Sequence, residues 1–94
     1  MYTTIMPAKH LRITGHVQGV FFRANAQIKA QECGVGGWIK NCEDGTVEIV
    51  AEGPEAALET FVHWCWKGPP AAEVESVKTT EIPEEGLYNF QIRK

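Results

Sequence analysis

Leu11 and Ile13 alternate with Arg12 and Thr14, the period of two that marks a strand with one buried face. Gly15 to Gly19 interrupts the pattern. From Phe22 the apolar spacing lengthens to that of a helix: Phe22, Ala26, Ala30 and Cys33 share a face, and Gly34 is a natural stop. Trp38 to Asn41 predicts a short strand, and Val47, Ile49 and Ala51, alternating with Glu48, Val50 and Glu52, predict the next. Asp44-Gly45 between them predicts a hairpin, because glycine accepts the positive φ of tight turns.

A second helix is marked at both ends. Pro54 and Glu55 suit its first turn, where the helix dipole is positive, while Lys67, Gly68 and Pro69-Pro70 close it. Its stripe is Leu58, Phe61, Val62 and Cys65; Trp64 and Trp66 fall off the stripe and are expected to cover an edge of the core. Glu73 to Thr79 predicts a strand in which Val74 and Val77 break strict alternation, so a bulge near Glu75-Ser76 is expected. Tyr88, Phe90 and Ile92 alternate with Asn89, Gln91 and Arg93 and predict the last strand. The order strand, helix, strand, strand, helix, strand matches the split βαβ pattern. The expected fold is α+β, a ferredoxin-like sandwich with an antiparallel five-stranded sheet and two helices on one face.

Length and composition narrow this further. A chain of 94 residues, 44% hydrophobic and 22% charged, supports one domain with one modest core. Residues 1–8 read as a short mobile extension and residues 9–94 as a single domain. No apolar run approaches the roughly 20 residues that span a bilayer, and the first residues lack a signal-peptide core, so the expected compartment is the cytoplasm, with no membrane partner. The net charge of −3 argues against nucleic acid as a partner, yet leaves room for a small anion at a local site. Cys33, Cys42 and Cys65 are odd in number and match no zinc or Cys-x-x-Cys spacing, which predicts free thiols acting as small apolar fillers. His10, His16 and His63 lack ligand spacing and are expected on the surface; no metal or cofactor is anticipated.

Two segments carry candidate chemistry. In Gly15-His16-Val17-Gln18-Gly19-Val20-Phe21-Phe22-Arg23, a loop leads from a strand into a helix. Its glycines let backbone N–H groups turn inward, and the helix start adds unpaired N–H groups and a positive dipole end. Arg23 adds a charge and a two-pronged donor suited to tetrahedral oxyanions. By spacing alone the same segment also reads as a plain connecting loop with a solvated Arg. The second segment, Gly37-Trp38-Ile39-Lys40-Asn41, ends a strand at the hairpin, where Asn41 alone reads equally as a turn-capping residue.

The run Gly15 to Arg23 resembles the phosphate-loop signature of acylphosphatases, Gly-x-Val-Gln-Gly-Val-x-Phe-Arg, at every fixed position. Gly37 to Asn41, followed by Asp44-Gly45-x-Val47-Glu48, resembles the second signature of that family. The likeness continues through Gly53-Pro54, Gly68-Pro69 and Phe90-x-Ile92-Arg93, so it spans about residues 9 to 93. It departs mildly at Ile39, Lys40 and Cys42. The resemblance implies catalytic roles for Arg23 and Asn41. It places a phosphate-binding loop on Gly15, His16, Val17, Gln18, Gly19, Val20, Phe21, Phe22 and Arg23. It further implies an acyl phosphate as substrate, inorganic phosphate as product, and a monomer.

The chemistry fits so small a set of groups. An acyl phosphate expels a carboxylate, whose conjugate acid has a pKa of about 4–5, so no general acid is needed. The reaction needs charge stabilisation at the phosphoryl oxygens and a placed water. Thr46 is near enough in sequence to approach Asn41 across the hairpin, without an assigned role. Two other functions compete: a non-catalytic module of the same fold that binds phosphate or acyl phosphate, and an RNA-binding ferredoxin-like domain. The latter needs exposed aromatics on the central strands, and Leu11–Thr14 and Thr46–Glu52 offer none and carry two acids.

Overall fold

The computed structural model describes residues 6–94. Strand β1 (Ala8–His16) is followed by helix α1 (Phe22–Cys33), β2 (Gly36–Asn41), β3 (Val47–Glu52), α2 (Glu55–Lys67), β4 (Glu73–Ile82) and β5 (Phe90–Arg93). Every expected element is present. β1 begins inside the segment expected to be an extension: Ala8 pairs with Glu52 and Ile82, the Pro7 carbonyl accepts the Gly53 N–H, and the Met6 N–H donates to Glu84. The remainder of that segment, residues 1–5, lies outside the described residues. Among the described residues no helix is long and apolar enough to cross a membrane.

The sheet has the order β4-β1-β3-β2-β5. β1 pairs antiparallel with β3 and β4, and β2 pairs antiparallel with β3. The expectation of a wholly antiparallel sheet is corrected at one edge, where β5 runs parallel to β2. Chain direction explains it. β4 finishes at the end of the sheet where β1 starts, since Ile82 pairs with Ala8. The chain crosses that end and enters β5 from there, so β5 must run in the direction of β1 and β2.

Glu52 holds this crossing. Its side chain is 5% exposed, and its carboxylate accepts the backbone N–H groups of Glu85, Gly86 and Leu87 at 2.7, 2.9 and 2.9 Å. A buried carboxylate is tolerable only when its oxygens are satisfied, and charge-assisted bonds of this kind are the strong ones. Glu52→Ala leaves three donors without their acceptor and is expected to destabilise by about 2–4 kcal/mol. Urea unfolding measures this; a loss under about 0.5 kcal/mol would show that the anchor is dispensable.

The core lies between the sheet and the helices. Leu11, Ile13, Ile39, Val47 and Ile49 from the strands meet Phe22, Ala26 and Ala30 of α1 and Leu58, Phe61 and Cys65 of α2. The α1 and α2 stripes follow the sequence pattern, with Cys33 and Val62 only half-buried. Trp64, expected off the stripe, is a bridge between the helices: its ring lies 5.5 Å from that of Phe22 and 6.4 Å from that of Phe61. Trp66 is half-exposed. The expected bulge is present. Thr14 pairs with Ser76 and Gly15 with Val74, leaving Glu75 as the extra residue. All three cysteines are free, and burial pushes the Cys65 thiol far above its ordinary pKa.

Candidate active site

β1 and β2 run in the same direction, both antiparallel to β3, so their C-terminal ends lie at one end of the sheet. The loop after β1 and the first turn of α1 sit at that end, and so does Asn41, the last residue of β2. Ile39 is buried against the helices, and Asn41, two residues on, faces the same side. Topology thus brings two distant sequence segments together. A cavity of about 300 Å³ forms between them, lined by Val17, Gly19, Phe22, Arg23 and Asn41. Phe21, Ala24 and Ile92 complete its wall.

Not every residue expected in the loop lines this cavity. His16 is exposed, Val20 is buried in the core, and Gly15 and Gln18 stand apart from the cavity wall. Gly15 serves the sheet instead. With φ at 124°, a Cβ there would sit 2.1 Å from the Glu73 carbonyl oxygen across the bulge, which no side chain can accept. Gly19 has φ at 75° and open space around it, so the turn itself is what requires glycine.

Gln18 ties the loop to the hairpin. Its Nε2 donates to the Cys42 carbonyl at 2.7 Å and to the Thr46 carbonyl at 2.9 Å. One side chain thereby fixes the distance between the loop carrying Arg23 and the strand end carrying Asn41. Gln18→Ala is expected to cost about 1–3 kcal/mol, from two side-chain hydrogen bonds lost to carbonyls that keep only their backbone donors, and to lower Tm by about 5 °C or more. A melting curve checks it, and an unchanged Tm would remove Gln18 from this role.

Phe21 precedes α1 in the left-handed conformation, at φ 63° and ψ 26°. For a bulky residue this conformation costs about 1–2 kcal/mol. Asn25 holds it in place, donating to the Phe21 carbonyl from its backbone N–H at 3.1 Å and from Nδ2 at 2.9 Å. No side chain caps the start of α1, and no acid stands in its first turn, whereas α2 has Glu55 there. Arg23 is half-buried and, among the described residues, has neither an ion-pair partner nor a side-chain hydrogen bond. The positive charge and the positive helix end are therefore left uncompensated side by side.

Asn41 is the second unpaired group. Its Oδ1 is fully buried without a hydrogen-bond partner among the described residues. Such an atom costs about 1–3 kcal/mol and is uncommon in native structures. The turn-capping role open to Asn41 from sequence belongs to Asp44 instead. Asp44 Oδ1 accepts the Thr46 hydroxyl at 2.6 Å and the Thr46 N–H at 3.0 Å, and these bonds hold its carboxyl below the ordinary range. The Thr46 hydroxyl also accepts from Arg12 at 3.0 Å, so its polar contacts are with Asp44 and Arg12 and none is with Asn41.

The sheet face opposite the helices carries a separate ionic cluster. Glu48 accepts from His10 at 2.7 Å and lies 3.7 Å from both Arg12 and Lys40. The His10 hydrogen bond, ahead of these charges, draws the Glu48 pKa down. These cations are thus engaged elsewhere, and Arg23 is the one cationic side chain lining the cavity. Among the described residues no group of His, Cys, Asp and Glu is arranged to hold a metal ion. Ala24 and Ile92 were not anticipated at the site. Ala24 follows Arg23 directly, but Ile92 reaches the cavity only because β5 lies parallel beside β2, which no local pattern announces.

Known proteins share this fold and much of this sequence. The family model described as Acylphosphatase matches residues 9–92. The acylphosphatase of Natronomonas pharaonis is 46% identical over 85 residues, which cover 90% of this chain and 92% of that one. The crystal structure of acylphosphatase from Bacillus subtilis superposes with a TM-score of 0.92 at 41% identity, covering 95% of this chain and 100% of that one. The T. kodakarensis HypF structure superposes with a TM-score of 0.83 at 35% identity, covering 95% of this chain but 12% of HypF. With a family model and full-length relatives matching over nine-tenths of its length, the chain belongs to the acylphosphatase family, enzymes that hydrolyse acyl phosphates.

Proposed function

We propose that the cavity between the loop 17–23 and Asn41 is where the acyl phosphate is hydrolysed, without a metal. Arg23 and the uncapped N–H groups at the start of α1 hold the phosphoryl oxygens, and Asn41 holds the attacking water. The observation that carries this reading is that Arg23, whose guanidinium has no partner among the described residues, and Asn41, whose buried amide oxygen has no donor among them, line one cavity. The buried oxygen costs folding free energy unless a ligand uses it.

The division of labour follows from charge. The transferring phosphoryl group carries spread negative charge, so the cation and the helix N-terminus face it. The water needs a neutral partner that accepts a hydrogen bond from it and leaves its lone pair free; an amide oxygen does this, whereas a carboxylate would repel the phosphate. The carboxylate leaving group departs unaided.

The test is hydrolysis of acetyl phosphate with EDTA present, and inhibition by inorganic phosphate. Turnover in EDTA with competitive inhibition is expected, because product and substrate share the phosphate end. Noncompetitive inhibition would place phosphate at another site. A second reading, a domain of the same fold that binds phosphate without turnover, draws on the likeness to HypF, where the matching fold makes up 12% of a longer chain. Saturable phosphate binding with no hydrolysis would select it.

A further inference from the structure

The phosphate end of the cavity leaves a second part of the wall to explain. Phe21 is 79% exposed and Ile92 41% exposed, and both line the cavity that holds Arg23 and Asn41. Scattered exposed apolar residues are ordinary, but these two share one concave site. Folding does not require a phenyl ring there. The Phe21 backbone is left-handed, and Asn25 Nδ2 bonds the Phe21 carbonyl beside the first helix bond from the Asn25 N–H. Strain maintained by neighbouring contacts at a cavity mouth is a sign of use.

We propose that Phe21 and Ile92 are the acyl-recognition surface, so that this enzyme favours acyl phosphates whose acyl group is apolar, aromatic or branched. The inference rests on the reading of the cavity as the hydrolytic site. In an acyl phosphate the acyl carbon is joined to phosphorus through one bridging oxygen. A phosphoryl group held at Arg23 therefore leaves the acyl substituent against the adjoining wall. The only polar side chains lining the cavity are Arg23 and Asn41, both used in the proposed chemistry. No further charged or polar side chain lines it to receive a carboxylate or hydroxyl on the acyl group. Apolar contact is what Phe21 and Ile92 offer, and Phe22 and Val17 behind them are buried in the core.

The experiment compares kcat/KM for benzoyl phosphate and acetyl phosphate in the wild type, Ile92→Ala and the double variant Phe21→Ala/Ile92→Ala. The ratio of the two substrates cancels changes common to both. An apolar contact of this size is worth about tenfold at the lower end of the usual range. The benzoyl-to-acetyl ratio is expected to fall about tenfold in the double variant and about threefold in Ile92→Ala. Competitive inhibition of Ile92→Ala by phosphate is expected to stay within about twofold of wild type. The single variant keeps the test decisive if the double variant does not fold. A ratio unchanged in the variants, or a fall matched by equal loss of phosphate affinity, overturns the assignment. Failure of the wild type to hydrolyse either substrate would instead overturn the functional reading beneath it.

Discussion

Arg23→Ala is expected to reduce kcat/KM for acetyl phosphate by about a thousandfold or more while leaving the fold intact. The estimate comes from the charge. At about 4 Å and an effective dielectric near 20, a pair of unit charges is worth on the order of 4 kcal/mol, which is roughly three powers of ten in rate. The loss falls on binding and on turnover together, because the phosphoryl oxygens are negative in the ground state and must be held tighter as charge redistributes. Arg23→Lys retains a charge but not the planar fork, so an intermediate loss is expected. Stability is expected to move by less than about 0.5 kcal/mol, since Arg23 has no ion pair to lose. Steady-state kinetics and a urea melt of each variant check both halves. Near-wild-type kcat/KM in a folded Arg23→Ala protein would end the role assigned to it.

Legibility in the sequence tracked how local the determining interactions are. Both helices could be placed from their stripes and their stops, because Gly34 and Gly68-Pro69-Pro70 act within a turn of where they stand. The Glu75 bulge was visible as a fault in the alternation of β4. The direction of β5 was not, because it depends on where β4 ends and on Glu52 fixing the crossing from a distant strand. Arg23 and Asn41 stood out through their motifs, yet their meeting depends on β1 and β2 sharing a direction, a property of the whole sheet. Gln18 belongs to the phosphate loop by motif, and the further part its side chain plays in bracing the hairpin depends on a contact with a distant segment. Ile92 was invisible as a site residue for the same reason that β5 was misdirected. The loop signature leaves position 21 open, and the exposed ring of Phe21 is a feature of three-dimensional placement alone.

Asn41→Ala separates catalysis from stability most sharply. If Asn41 were a structural residue, its removal would destabilise the protein by about 1–3 kcal/mol, as for any buried polar group whose bonds are lost. Its Oδ1 has no hydrogen bond to lose, and truncation removes a buried, unsatisfied atom. The expected stability change is therefore between zero and a gain of about 1 kcal/mol, offset in part by the small void left by the amide. Activity should move the other way. Losing the group that places the water is expected to lower kcat by about 10²–10³-fold, comparable with loss of an oxyanion-hole donor. On the proposed reading, in which Arg23 and the loop hold the phosphate, KM should change little. Asn41→Asp keeps the shape but sets a negative charge facing the phosphate, and is expected to be no more active than Asn41→Ala. A variant that is as stable as wild type and poor in kcat at unchanged KM is the signature of a residue retained for chemistry. Equal losses of stability and activity would return Asn41 to the hairpin as a structural residue.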